Sequence, residues 1–205
     1  MTPYYADRDV TLYLGRAEDI VPALDYDTIL TDPPYGKQLD YGEGSDDTHA
    51  AFCRIVHWLP SLGVPTIFTL PSTKLFDLPR PQWIGVWHKP LTMGFFHTPL
   101  IPHWEAIACY HLPSKGMHAD VWRHNPVKPN GHPAPKPVGL WTELLTVLPA
   151  GVVLDPFLGS GTTAIAARLL GRPCIGVEVE ERFLELAARR LSQGVLPLAL
   201  LEEGA

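Results

Sequence analysis

At 205 residues, 46% hydrophobic and 19% charged, the chain has the composition of a globular protein able to bury a substantial core, and one domain over 1–205 is expected. A net charge of −6 excludes a generally basic nucleic-acid coat, so phosphate contacts would have to come from a local excess of Lys and Arg. No stretch approaches the roughly 20 apolar residues of a membrane span, MTPYYADRDV lacks the basic start and apolar run of a signal peptide, and Cys53, Cys109 and Cys174, without CxxC spacing, read as buried free thiols of a reducing, cytoplasmic protein.

The apolar pattern alternates between strands and helices. Val10–Leu14 reads as a strand, Ala17–Leu24 as a short helix, and Asp27–Thr31 as a second strand. Gly36–Asp47 has no periodicity and reads as a mobile loop. Thr48–Leu59 is an amphipathic helix, followed by strands at Val64–Leu70, Trp83–Trp87 and Glu105–Tyr110. Pro, Gly, His and Lys dominate Leu112–Pro137. Val138–Leu148 is a helix, Val152–Leu154 a short strand, Thr162–Leu170 a helix closed by Gly171, Cys174–Val179 a strand and Glu181–Leu191 a helix. Such alternation implies an α/β fold with a mainly parallel sheet covered on both faces. Of the tryptophans, Trp58, Trp83 and Trp141 are expected in the core rather than at an interface.

Two loops carry the chemistry. TDPPYG at Thr31–Gly36 follows a strand and offers a carboxylate, a stiff Pro-Pro backbone and an aromatic ring. The lone pair of a base amino nitrogen is delocalised into the ring, so a catalyst must accept its hydrogens and let the nitrogen pyramidalise. Asp32 supplies one acceptor and the Pro33 carbonyl a second; Pro33 also lacks an N–H that would repel those hydrogens. Pro34 stiffens the turn, and Tyr35 can stack on the base. No covalent nucleophile is required, so positioning and electrostatics suffice. The second loop, DPFLGSGTT at Asp155–Thr163, turns from a strand into a helix through Gly159 and Gly161. The spacing departs from GxGxxG and there is no GKS/T, which disfavours a pyrophosphate site. Glu178, ending the next strand, can accept both ribose hydroxyls of an adenosine.

Taken together, DPPY, DPFLGSGTT, GVEVEERFLELAARRL, HPAPKP at His132–Pro137 and the lead-in TLYLGRAEDIVPALDYDTIL resemble the amino-methyltransferases of DNA that make N6-methyladenine or N4-methylcytosine. DPPY ahead of the glycine loop resembles their permuted β group. The resemblance implies a Rossmann-like, doubly wound class I methyltransferase fold, circularly permuted, with seven strands of which one is antiparallel. It implies S-adenosylmethionine as cofactor, without a metal, held by Asp155, Phe157, Gly159, Ser160, Gly161, Thr162 and Glu178, with Lys136 facing its carboxylate. Asp32, Pro33, Pro34 and Tyr35 would handle the base. Arg16 stands where the family usually has an acid after the lead-in glycine, with Glu18 or Asp19 as substitutes.

Between about 112 and 131 lies a loop-sized segment where the family places its target-recognition region. Over His111–Lys136, Lys115, Arg123, Lys128 and Lys136 stand against one acid, Asp120, a local basic excess suited to DNA phosphates; His111, His118, His124 and His132 there are too loosely spaced for a zinc site. A duplex substrate would have to be flipped, and a homodimer would enlarge the DNA-contact surface. The expected reaction is methylation of adenine N6 in DNA by a prokaryotic or phage-type, restriction-modification-like enzyme. Cytosine N4, then adenine N6 of RNA, then an inactive nucleic-acid-binding partner are the alternatives.

Overall fold

A computed structural model describes residues 1–36, 47–91, 100–114, 116 and 118–193. Its strands are β1 (Tyr5–Ala6), β2 (Val10–Leu14), β3 (Thr28–Thr31), β4 (Thr66–Pro71), β5 (Trp83–His88), β6 (Trp104–Tyr110), β7 (Val121–Arg123), β8 (Val153–Asp155) and β9 (Cys174–Glu178). Its α-helices are α1 (Ala17–Ile20), α2 (His49–Ser61), α3 (Val138–Val147), α4 (Thr162–Leu169) and α5 (Glu181–Ser192).

The strands form one sheet in the order β1-β2-β9-β8-β3-β4-β6-β5-β7. The seven expected strands are its body. Among them only β6 runs against its neighbours, pairing antiparallel with β4 and β5. Two short edge strands, absent from the sequence reading, extend the sheet: β1 antiparallel to β2 and β7 parallel to β5. β7 forms in a stretch without periodicity because Trp122 lies against Gly85, where an added Cβ would come within 2.5 Å of the indole. The same indole is buried in the core.

Alternating strand side chains feed two cores. Leu30, Ile67 and Ile107 face α3, α4 and α5, packing against residues such as Trp141, Leu144 and Leu184. Their neighbours Ile29, Phe68, Ala106 and Ala108 face α1 and α2, against Phe52, Ile55, Val56 and Leu59. Trp141 is fully buried as expected, whereas Trp83 is 59% exposed at the start of β5. Cys109 and Cys174 are buried, but Cys53 is only partly so. The first helix is shorter than its pattern. It passes into a 3-10 turn at Val21–Ala23 because Pro22 lacks the N–H an α-helix needs there. Thr48 caps α2, its hydroxyl accepting from Ala51 N at 3.1 Å.

Among the described residues, no helix is long and apolar enough to cross a membrane. The expected loop Gly36–Asp47 lies, except at its ends, outside the described residues. Those ends are joined: Gly36 N donates to the buried Asp47 carboxylate at 2.5 Å.

Candidate active site

β2, β9, β8, β3 and β4 run parallel, so their carboxyl ends line one edge of the sheet, where doubly wound folds place their ligands. Three of them deliver the acids: β9 ends at Glu178, β8 at Asp155, and Asp32 directly follows β3. β6 runs the other way and brings its amino end, with Glu105, to the same edge. A cavity of about 220 Å³ opens there. It is lined by Asp32, Pro33, Pro34 and Tyr35 on one side and by Phe157, Gly159, Ser160, Thr162 and Glu178 on the other, with Lys136 and Asp155 between. Gly161 does not line it.

Asp32 is the centre of a buried polar network. Its Oδ1 accepts from the hydroxyls of Tyr35 and Thr69, and its Oδ2 from the Lys136 ammonium. The Tyr35 hydroxyl also lies 3.2 Å from Thr69 Oγ1 and 3.2 Å from Glu105 Oε2. Glu105 Oε1 accepts from Lys89 Nζ at 2.5 Å. Burial works against the Lys136 ammonium, but the carboxylates of Asp32 and Glu105 outweigh it and hold its pKa above the ordinary lysine value. Burial likewise works against ionised Glu105, yet Lys136 and Lys89 outweigh it and its pKa is lowered. Burial, then the negative charges of Asp32 and Glu105, push the Tyr35 phenol well above its usual range. Lys136 thus faces Asp32 in this structure, its ammonium 5.0 Å from the Tyr35 ring centroid.

Asp155 ties the two loops together. It accepts from Thr31 Oγ1 at 2.6 Å, from Phe157 N at 3.0 Å and from the Thr163 hydroxyl. Trp141 Nε1 donates to that same Thr163 oxygen at 2.7 Å. Burial raises the Asp155 carboxyl to about 6 against these bonds. Glu178 accepts from Gly159 N at 2.7 Å and Glu180 N at 2.9 Å, and burial raises it to about 7. Gly159 and Gly161 both have positive φ, 53° and 85°. Gly161 caps α4, and a Cβ on it would meet Ala187 of α5 at 2.8 Å. Ser160 is held from behind by Arg190, whose guanidinium donates to its carbonyl at 2.5 Å. His132 packs edge-on against Phe183 at 4.6 Å, and burial lowers its pKa to about 4.

A model of the DNA methylase family (N6_N4_Mtase) matches residues 86–189, half of the chain. The chain belongs to this family. As a member of the N6/N4 DNA methylase family, it is 46% identical over 78 residues to the type II methyltransferase M2.MboI of Moraxella bovis, covering 35% of this chain and 29% of that protein. It is 37% identical over 83 residues to M.ScaI of Streptomyces caespitosus, covering 35% and 27%. The chain thus spans under a third of the length of the curated relatives it matches. Two solved structures share the methylase fold. One is the M1.HpyAVI–SAM complex, with a TM-score of 0.65 and 21% identity over 88% of this chain and 99% of that one. The other is the cytosine-N4-specific PvuII DNA methyltransferase, with a TM-score of 0.69 and 14% identity over 98% and 93%.

Arg123 and Lys128 of this methylase-family chain are exposed and do not line the cavity; Lys115 lies outside the described residues. The histidines of the stretch 111–136 are dispersed: His111 meets the Pro60 carbonyl, His124 the Glu143 carboxylate, and His132 the cavity wall. Arg16 and Glu18 both line the cavity, whereas Asp19 does not. Thr69, Lys89, Glu105 and Arg190 belong to the site or its supports and escaped the sequence reading. Lys89 and Glu105 stand at the ends of strand-like runs, but their meaning depends on the antiparallel pairing of β5 with β6.

Proposed function

We propose that this chain transfers a methyl group from S-adenosylmethionine to an exocyclic amino nitrogen of a DNA base, adenine N6 ahead of cytosine N4. The observation that carries the reading is the shared cavity: the Asp32–Tyr35 loop and the Gly159–Glu178 side open into one space. The lining fits the cofactor. Glu178 sits at a strand end and accepts from backbone N–H groups, Gly159 and Glu180 among them, with lone-pair capacity left for ribose hydroxyls. Gly159 is a close approach, since a Cβ there would stand 3.0 Å from His132 Nε2. Phe157, Ser160 and Thr162 complete that side, and Lys136 and Asp155 stand between cofactor and base.

The cofactor supplies an electrophilic methyl group when bound. The chain supplies the rest. Asp32 and the Pro33 carbonyl accept the hydrogens of the target amino group, so its lone pair turns toward the methyl carbon. Pro34 holds the turn, and the Tyr35 ring stacks on the base. Asp32 is also the first acceptor for the proton that the methylated nitrogen sheds. The target base is flipped into the cavity, and Arg123, Lys128 and Lys115 of the segment 112–131 meet phosphates, with a second copy of the chain extending that surface. DPPY, rather than pocket shape, carries the preference for adenine.

The test is transfer from labelled S-adenosylmethionine to mixed-sequence duplex DNA, with RNA in parallel and nucleoside analysis of the product. N6-methyladenine or N4-methylcytosine in DNA, absent with Asp32→Ala, is the expected result and names the base. Label only in RNA, or none despite cofactor binding, overturns the reading.

Cofactor affinity is also expected to depend on pH. Ionised Glu178 accepts from ribose hydroxyls, whereas the protonated acid presents a donor. With its carboxyl raised to about 7, affinity falls as the pH is lowered through that value, approaching about tenfold per unit. Asp155 and His132 are raised or lowered only to about 6 and about 4, so in calorimetry from slightly alkaline to neutral conditions the fall belongs to Glu178 and amounts to about twofold, steepening below neutrality. A flat affinity across neutrality would remove Glu178 from ribose binding.

A further inference from the structure

Three donors converge on Asp32: Tyr35 and Thr69 on Oδ1, Lys136 on Oδ2. A carboxylate oxygen accepts along about two lone-pair directions, so Oδ1 is filled before a substrate arrives. If the target amino group approaches Oδ1, where the function proposed above has Asp32 accept its hydrogen, one of these two hydroxyls must let go. A buried hydroxyl released without another acceptor forfeits much of what the new bond gains. Tyr35 has another carboxylate in reach, Glu105 Oε2 at 3.2 Å. A phenol carries one hydrogen, so it serves Asp32 or Glu105 but not both.

We infer that Glu105 is a positioning residue that takes over the Tyr35 hydroxyl when Asp32 turns to the target amino group, and that Lys89 holds Glu105 ready for this. The division of its oxygens fits the role. Oε1 is bound by Lys89 at 2.5 Å, which directs Oε2 to Tyr35. Both partners are largely buried, with side chains 11% and 14% exposed, and the Lys89 ammonium lies 4.6 Å from the Trp87 ring centroid. The register Trp87↔Glu105 brings Lys89, just past the end of β5, beside Glu105, which lines the cavity. Lys136 and Lys89 keep Glu105 ionised against its burial, so it can accept from Tyr35 but has no proton to donate. Tyr35 can then move its hydrogen bond without leaving the site, and the stacking ring keeps its place.

Single-turnover transfer is compared for the wild type, Glu105→Gln, Tyr35→Phe and the double variant. Glu105→Gln is expected to slow kcat about tenfold, with KM for DNA and cofactor affinity within about twofold. In the Tyr35→Phe background the same change should cost less than about twofold, because the hydroxyl it serves is gone. An unchanged kcat in Glu105→Gln, or an equal loss in both backgrounds, overturns the inference. Glu105→Gln takes a counter-charge from Lys89 and can weaken the fold, so Lys89→Met/Glu105→Gln is the second variant. Its melting temperature should recover while its rate stays low; recovery of both overturns the inference. A wild type that methylates no nucleic acid fails the proposed function instead. The hydroxyl handover is then read in Asp32→Ala protein, where Glu105 is the carboxylate left within reach of the Tyr35 hydroxyl. There the 13Cζ resonance of Tyr35 should move on Glu105→Gln, and an unmoved resonance overturns the inference.

Discussion

Replacing Asp32 by asparagine is expected to slow methyl transfer about 10²–10³-fold, the loss seen when one preorganised polar group is removed from a reacting centre. Asparagine keeps the shape and one acceptor oxygen. Its NH2, however, must face either Lys136 or the hydroxyls of Tyr35 and Thr69, all of which donate to Asp32. The acceptor for the target amino group is therefore weakened or lost, while Glu178 and the glycine loop stay as they are, so cofactor affinity holds. The same change also touches stability. The Lys136 side chain is 7% exposed, and losing its main counter-charge costs about 3 kcal/mol, or roughly 6–12 °C in Tm for a chain of this size. Glu105, which also acts on Lys136, keeps the loss at the low end of the range. Asp32→Asn/Lys136→Met separates the two effects: the melting temperature should return and the rate should not. An Asp32→Asn protein with more than about a tenth of the wild-type rate would remove Asp32 from the chemistry.

Gly161→Val should be the most damaging change in the cofactor loop. At a φ of 85° a β-branched residue is strained, and its Cβ would stand 2.8 Å from Ala187 Cβ and 3.3 Å from Ala187 Cα. The neighbour is helix backbone and cannot rotate away, so α5 must part from the loop. A loss of about 3–5 kcal/mol follows, with Tm down by roughly 10 °C or more and cofactor binding abolished. Gly171→Ala is the control. Its φ of 64° imposes the same backbone strain, but nothing lies within 4 Å of the added Cβ. It should cost only about 1–2 kcal/mol and leave cofactor binding intact. Thermal melts and calorimetry of both variants decide the matter: equal losses would mean that backbone strain, and not contact with α5, makes glycine necessary at 161.

The parallel body of the sheet was legible because each strand is a short apolar run closed by a turn, and the turns at Asp32 and Asp155 carry residues with few other uses. What escaped was decided by pairing. Glu105 opens a strand-like run and looks like a solvated strand end. Only when β6 is inserted antiparallel between β4 and β5 does its amino end meet the carboxyl ends of its neighbours. Lys136 was placed toward the cofactor by resemblance; its bond to Asp32 spans 104 residues of sequence, and no local pattern encodes it. The stretch around Val121–Arg123 has no periodicity, yet it becomes a strand because Gly85 leaves room for an indole. Gly161 reads as a ligand-approaching glycine, and no local pattern shows that a Cβ on it would also meet α5.

The pairing of β3 with β8 bears on how the chain is made. Thr28 and Ile29 align with Val153 and Leu154, and Val152 N bonds the Asp27 carboxylate across 125 residues of sequence. One edge of β3 is satisfied early by β4, but the other waits for the last third of the chain. At about 5–20 residues per second, a ribosome leaves that second edge of the central strand unpaired for roughly 6–25 s. Its apolar residues Ile29 and Leu30 are a template for wrong partners during that interval. Ribosome-arrested chains ending before β8 should therefore be cut by protease near β3 and held by chaperones, and those extending past α5 should resist both.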